Sequence, residues 1–241
     1  MMPCAAGHRN GIAWKLFDNA DTMACAVADA VESIIKCAIE VHGSAVLALP
    51  GGTTPVPIFR ELANRNLNWS GVTLLPTDDR LVPIDHVLSN AGLIRRFFGS
   101  TEARLVTLLD DDDGIDTVGY SASRTLRTLR WPLDLVWLGM GEDGHTASIL
   151  PGPDFEAALN RSSEHRACSV VPDPMPLEAA VARITLTRAA LVATRCLILT
   201  ITGEKKRLVA ERAFREGCAS TVAIGRVVAW AQAPAVVFWC K

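Results

Sequence analysis

Ala45-Val46-Leu47-Ala48-Leu49-Pro50-Gly51-Gly52-Thr53-Thr54-Pro55 is a short apolar run that stops abruptly at Pro-Gly-Gly. A run of that length bounded by turn residues reads as a strand buried on both faces. Pro55 stands where the first turn of a helix favours proline, so a helix to about Asn64 is expected next. Strands covered on both sides belong to parallel sheets, because crossover helices lie on each face.

The same strand–turn–helix alternation continues in both directions. Upstream, Met23, Val27, Ala30, Val31, Ile34, Ala38 and Val41 recur at helical steps. Asp21 is the expected cap of that helix and Gly43 its stop. Downstream, Val72 to Leu75 reads as a strand, followed by a charged loop and a helix after Ser89-Asn90. A strand at Arg104 to Thr107, a helix from Ile115 to Leu129 and a buried strand at Leu133 to Leu138 follow. Arg195 to Thr200 is the next strand, Gly203 precedes a helix to about Arg215, and Val236 to Trp239 forms the last strand. The expected architecture is one α/β domain over residues 1–241, with a doubly wound, mainly parallel sheet and helices on both faces, a Rossmann-like arrangement. The proline-rich stretch Pro172 to Pro176 reads as a surface loop. Ligands in such sheets sit beyond the carboxyl ends of the strands.

Composition narrows the class. With 241 residues, 49% hydrophobic and 21% charged, the chain is long enough for a full core, which excludes disordered and small disulfide-scaffold classes. Twenty-four basic against 26 acidic residues give −2, and the arginines are scattered, so neither nucleic acid nor a membrane surface is an expected partner. The run Val227 to Cys240 is interrupted by Gln232 and Pro234 and falls short of the roughly 18 residues of a membrane span. Gly7-His8-Arg9-Asn10 stands where a secretory signal would be apolar, so a cytoplasmic location is expected. Seven cysteines (Cys4, Cys25, Cys37, Cys168, Cys196, Cys218, Cys240), never spaced as Cys-x-x-Cys, predict reduced thiols.

Four segments after strands carry chemistry. Gly51, Gly52 and Thr53 can bring backbone N–H groups close to an anion, although an ordinary strand-to-helix turn has the same composition. Thr77-Asp78-Asp79-Arg80, with Ser89-Asn90 beyond, offers carboxylates for hydroxyls and a forked guanidinium for phosphate; a solvated turn is the plainer reading. Leu138-Gly139-Met140-Gly141-Glu142-Asp143-Gly144-His145-Thr146-Ala147-Ser148 matches the dinucleotide glycine spacing only formally. Pro151-Gly152-Pro153 leaves no room for the helix such a fingerprint requires. What remains is His145 beside Asp143, a pairing suited to general base catalysis because an imidazole's unperturbed pKa is about 6.5. Arg183-Ile184-Thr185-Leu186-Thr187 and Gly203-Glu204-Lys205-Lys206 each place a cation at the edge of an element. Asp110 to Asp113 before Gly114 would put Leu109 and Tyr120 at the end positions of a calcium loop, so that reading fails. The five histidines (His8, His42, His86, His145, His165) show no metal-ligand spacing.

Taken together and in this order, from about Ala45 to Arg212, these segments resemble the 6-phosphogluconolactonase family, part of the group that includes glucosamine-6-phosphate deaminases. The segments are Leu49 to Pro55, Asp78 to Pro83 with His86 and Ser89-Asn90, Leu138 to Gly152, Arg183 to Thr187 and Gly203 to Lys206. The stretch Gly139-Met140-Gly141-Glu142-Asp143-Gly144-His145-Thr146-Ala147-Ser148 is the most specific of them. The deaminases carry a catalytic Glu five residues after the His; here that residue is Leu150, which favours the lactonase over the deaminase. Asp79 stands where the lactonases usually have Glu, and Val181-Ala182 stand where prolines are common.

The resemblance implies hydrolysis of 6-phospho-D-glucono-1,5-lactone to 6-phospho-D-gluconate, in the oxidative branch of the pentose phosphate pathway. His145 is then the general base and Asp143 its neighbour that orients the site. Gly51, Gly52 and Thr53, with Arg80 and Lys206, hold the phosphate; Asp78 and Asn90 bind sugar hydroxyls. Gly144 belongs with the substrate-binding residues, and backbone N–H groups of the glycine-rich turns or Arg183 stabilise the developing oxyanion. The expected partner is a small sugar-phosphate lactone, to a monomer or small homo-oligomer. No metal or organic cofactor is expected, because a lactone is an activated ester. The rival readings are a deaminase or isomerase of the same group and a non-catalytic sugar-phosphate-binding protein.

Overall fold

The computed structural model describes residues 11–110, 114–176 and 179–241. The opening stretch with Gly7 to Asn10, Cys4 and His8, and the acidic run at Asp111 to Asp113, lie outside the described residues. The strands are β1 (Ile12–Phe17), β2 (Ala45–Leu49), β3 (Val72–Pro76), β4 (Asp78–Arg80), β5 (Arg104–Leu105), β6 (Leu135–Leu138), β7 (Ala167–Val170), β8 (Arg183–Leu186), β9 (Leu197–Thr202) and β10 (Ala235–Cys240). The helices are α1 (Ala20–His42), α2 (Pro55–Ala63), α3 (Asn90–Phe98), α4 (Val118–Leu126), α5 (Phe155–Asn160), α6 (Arg188–Leu191), α7 (Glu204–Glu216) and α8 (Ala223–Trp230).

Seven strands form the main sheet in the order β1-β10-β9-β6-β2-β3-β5, all paired in parallel. The strand period of two assigns its side chains to two cores. Leu47 and Leu49 of β2, with Leu135 and Trp137 of β6, face a core built from α1, α2 and α3. Val46, Ala48, Val136 and Leu138 face the opposite core, under α4, α7 and α8. Each strand therefore needs apolar residues at successive positions, which is why β2 is an unbroken apolar run. On one face Phe59 of α2 meets Trp137 edge to face at 5.4 Å, with neither side chain exposed.

Several details depart from the expectation. The cap of α1 is Asn19, whose side chain accepts from Thr22 N, while Asp21 lies inside the first turn. Asn19 has the extended backbone of a cap, and Asp21 there favours the positive end of the helix dipole. Strand β1 pairs in parallel with β10 at an edge of the sheet, and its mixed exposure hides it from a search for apolar runs. A second, three-stranded sheet, β4-β8-β7, is antiparallel throughout. Its strands have three or four residues each, too short to produce a periodic signal. The cysteines also differ from the all-thiol expectation: Cys25, Cys37, Cys168, Cys196 and Cys240 are free, but Cys218 is disulfide-bonded. Among the described residues no helix is long and apolar enough to cross a membrane.

Asp134, at the entry to β6, ties the sheet to its surroundings. Its buried carboxylate accepts from Val46 N at 2.8 Å and pairs with Arg130 at 2.5 Å. Asp134→Ala leaves a buried N–H and a half-buried guanidinium without their acceptor. The expected loss is about 2–4 kcal/mol, read as a lower urea midpoint with an unchanged slope. An unchanged midpoint would refute the assignment.

Candidate active site

A cavity of about 240 Å³ opens beyond the carboxyl ends of the main sheet, lined by residues from every segment singled out in the sequence. Two neighbouring parallel strands explain the gathering. Because β2 pairs with β6 (Leu47 with Leu135, Ala48 with Val136), the turn at Gly51 to Thr54 and the turn at Gly139 to His145 leave the sheet side by side. The short antiparallel sheet adds Asp78, Arg80 and Arg183, and the first turn of α7 adds Lys206.

The first turn is shaped by close approach. A Cβ on Gly51 would lie 1.9 Å from Asn90 Oδ1, so glycine alone lets the Asn90 amide pack against it. Gly52 has φ +88, a conformation that other residues rarely adopt. Pro55 and Pro57 remove two N–H groups from the start of α2, leaving the glycine turn itself to present backbone donors to the cavity.

Strand β4 separates two adjacent carboxylates by its pleat. Asp78 and Arg80 face the cavity, whereas Asp79 points to the opposite side. Asp79, fully buried, accepts from Asn90 N (2.6 Å), Arg80 N (2.8 Å), Ala91 N (2.9 Å) and Ser89 Oγ (3.2 Å). It anchors the start of α3, and with it Asn90. Burial pushes its carboxyl above the usual range, against the pull of those backbone N–H groups. Although Asp79 is shorter than Glu, Arg80 is well held: its Nη1 donates to Leu88 O (2.8 Å) and to Asn90 Oδ1 (3.1 Å). Asn90 Nδ2 in turn donates to Asp78 O (2.8 Å), so Asn90 braces Arg80 as well as lining the cavity. Arg80 and Arg183 are direct partners across the β4–β8 pair and both line the cavity. Like charges placed opposite one another repel, and an anion between them relieves that repulsion.

The second turn pairs an imidazole with a carboxylate. His145 Nδ1 lies 2.6 Å from Asp143 Oδ1, and His145 N donates to the same oxygen at 3.1 Å. A carboxylate at Nδ1 selects the tautomer with its proton there, which leaves the lone pair on Nε2 for the cavity. Burial pushes the Asp143 carboxyl up, but the hydrogen bond and charge of His145 outweigh it and hold it below the usual range. Gly141 makes the pair fit: a Cβ there would stand 2.2 Å from the imidazole and 2.6 Å from Asp143 Oδ1. The segment beyond is tied down by Ser148, whose Oγ donates to Asp78 Oδ2 and whose N donates to Thr185 Oγ1 at 3.1 Å. Between them, Ala147 takes φ +49 within the cavity wall.

Of the residues named from the sequence, Gly51, Gly52, Thr53, Asp78, Arg80, Asn90, His145, Arg183 and Lys206 line this one cavity. Asp143 lies behind His145 and reaches the cavity through it. Gly144 is placed differently from a substrate contact: it is not in the wall. At φ +83 it turns the chain, its carbonyl accepts from Ile224 N, and a Cβ would clash with Val222 at 2.8 Å. Thr77, Ala147 and Ser148 stand inside the segments singled out in the sequence but carried no role of their own there, and Thr200, in the wall, was read only as the end of a strand. A lone threonine at the end of an apolar strand carries no local signal, and the sequence does not show which hydroxyl meets Asp78. Among the described residues no group of three His, Cys, Asp or Glu side chains could hold a metal ion.

Two measurements check this geometry. In His145→Ala the Asp143 carboxyl, followed by carbon NMR, should titrate higher than in the unaltered protein, since the imidazole's hydrogen bond and charge are lost and only the backbone N–H groups remain to oppose burial. The sign for stability follows. A lowered folded pKa stabilises above the unfolded value of about 3.9 and loses that contribution as pH falls through the folded value. Gly141→Ala should separate the pair and give the same upward shift with His145 still present. An unmoved Asp143 in both variants would show that the contact does not form in solution.

Comparison with known proteins identifies the family. The family model described as glucosamine-6-phosphate isomerases/6-phosphogluconolactonase matches residues 18–236. A 6-phosphogluconolactonase of Mesorhizobium japonicum is 37% identical over 232 residues, covering 94% of this chain and 94% of that protein. One from Pseudomonas putida is 32% identical over 226 residues, 92% of this chain and 90% of its own length. The crystal structure of a 6-phosphogluconolactonase from Shewanella baltica superposes with a TM-score of 0.89 at 28% identity, over 98% of this chain and 100% of that one. A match over nearly the whole chain, in sequence and in fold, makes this protein a member of the glucosamine-6-phosphate isomerase/6-phosphogluconolactonase family.

Proposed function

We propose that this protein hydrolyses 6-phospho-D-glucono-1,5-lactone to 6-phospho-D-gluconate, with His145 as general base. The observation that carries the reading is the Asp143–His145 pair at the wall of a cavity that Arg80, Arg183, Lys206 and a glycine turn also line. The relatives named as 6-phosphogluconolactonases support it. Leu150, apolar and buried, stands where the deaminase chemistry needs a carboxylate, which disfavours that reading of the same fold.

In the proposed sequence, His145 Nε2 takes a proton from water as its oxygen bonds to C1 of the lactone. The carbonyl electron pair moves onto its oxygen, where Arg183 or the turn N–H groups meet the charge. Asp143 balances the imidazolium that forms and keeps the ring oriented. When the carbonyl re-forms, the bond from C1 to the ring oxygen breaks, and His145 returns its proton to that oxygen. The product acid then releases a proton to solvent. The phosphate is held by Lys206, Arg80 and the Gly51 to Thr53 turn. Asp78, fixed by Ser148 and Thr77, keeps acceptor capacity for sugar hydroxyls.

The first experiment follows the disappearance of freshly made 6-phosphogluconolactone at neutral pH, against the enzyme-free rate. His145→Ala should lose roughly 10²–10⁴ of the acceleration. No acceleration by the unaltered protein would reject the lactonase, and acceleration that survives in His145→Ala would move the base elsewhere. Lys206→Ala should raise KM with little change in kcat, because the phosphate is gripped alike in ground and transition states. A fall in kcat alone would refute that role.

A further inference from the structure

Thr200 stands in the cavity wall near the end of β9, only 2% exposed. Its Oγ1 accepts the indole Nε1–H of Trp137 at 2.9 Å. Trp137 is wholly buried, and an indole donates one hydrogen bond and accepts none. The contact therefore occupies a lone pair of the hydroxyl and leaves its proton unused. Among the described residues no acceptor takes that proton. A buried hydroxyl with an idle donor in a cavity wall calls for an acceptor from the ligand or from water.

The fold says which part of the ligand it meets. Trp137 packs beneath Phe59 of α2, so Thr200 lies on the face of the sheet that α2 covers. The turn that leads into α2 is Gly51 to Thr54, and Lys206 follows β9 in the chain and lines the same cavity. We infer that Thr200 is a phosphate-binding residue, its O–H aimed by Trp137 at a phosphate oxygen beside the Gly51–Gly52 turn. An ionised phosphate offers acceptors in several directions, matching a hydroxyl that Trp137 has turned into a donor on the cavity side. This inference rests on the lactonase reading for the identity of the phosphate ester and for nothing else.

Thr200→Val keeps the shape and removes the hydroxyl. Kinetics are measured with 6-phosphogluconolactone and with the unphosphorylated gluconolactone, and the binding of inorganic phosphate by calorimetry. Thr200→Val should raise KM for the phosphorylated lactone roughly tenfold and weaken phosphate binding similarly, the size of a hydrogen bond to a charged group. The unphosphorylated lactone should be handled as before, and Thr200→Ser should restore both readouts. Equal losses on both lactones, unrescued by serine, would mean a structural role and overturn the inference, as would unchanged phosphate binding. If neither lactone is turned over by the unaltered protein yet phosphate binding still depends on Thr200, the lactonase reading fails and this one stands. Since valine strands the Trp137 N–H, the paired variant Trp137→Phe with Thr200→Val removes both buried polar partners and carries the same comparison should the single variant not fold.

Discussion

The parallel pairing of β2 with β6 is the constraint on which the rest of the molecule depends. Parallel strands end on the same side, so two glycine turns distant in sequence, one after Leu49 and one after Leu138, emerge next to each other. The chemistry each carries is incomplete alone. The first offers backbone donors, and the second an imidazole held by a carboxylate. Only adjacency in the sheet turns them into one site, and Trp137 of β6 packs against Phe59 of α2, the helix that follows the first turn.

The small antiparallel sheet contributes the charges, and its pleat divides the labour among them. Asp78 and Asp79 are consecutive, with the same ionisable group, yet one faces the cavity and the other holds the start of α3 by three hydrogen bonds. The outward-facing position of each neighbour follows from the strand period alone. The register that sets Arg80 opposite Arg183 places two guanidinium groups on the wall of one cavity.

Close backbone approach is the third element. Gly51 and Gly141 are required by what lies against them, the Asn90 amide and the Asp143–His145 pair, whereas Gly144 is required by its own left-handed backbone and by Val222. These are different reasons for the same residue, and the sequence shows them identically. Ala147 also takes a left-handed backbone although it is not glycine, in a segment held at Ser148 by Asp78 and Thr185.

What the sequence by itself determined was whatever depends on local pattern: the apolar run of β2, the helical stripe of α1, the glycine turns, and the motif order that identifies the family. The parallel sheet followed because strands covered on both faces must be apolar throughout, as Ala45 to Leu49 is. Beyond reach were β1, whose exposure is mixed, and β4, β7 and β8, whose three or four residues are too few to show a period. Tertiary structure alone decided that Asp79 is an anchor while Asp78 faces the cavity, that Gly144 is a turn residue, and that Ser148 meets Asp78 across 70 positions of chain. It alone also brought Trp137 to Thr200 across two neighbouring strands. The physical reason is common to all of these. Periodicity and turn chemistry act over a few residues, whereas the partner of a hydroxyl or carboxylate is set by which strands lie side by side.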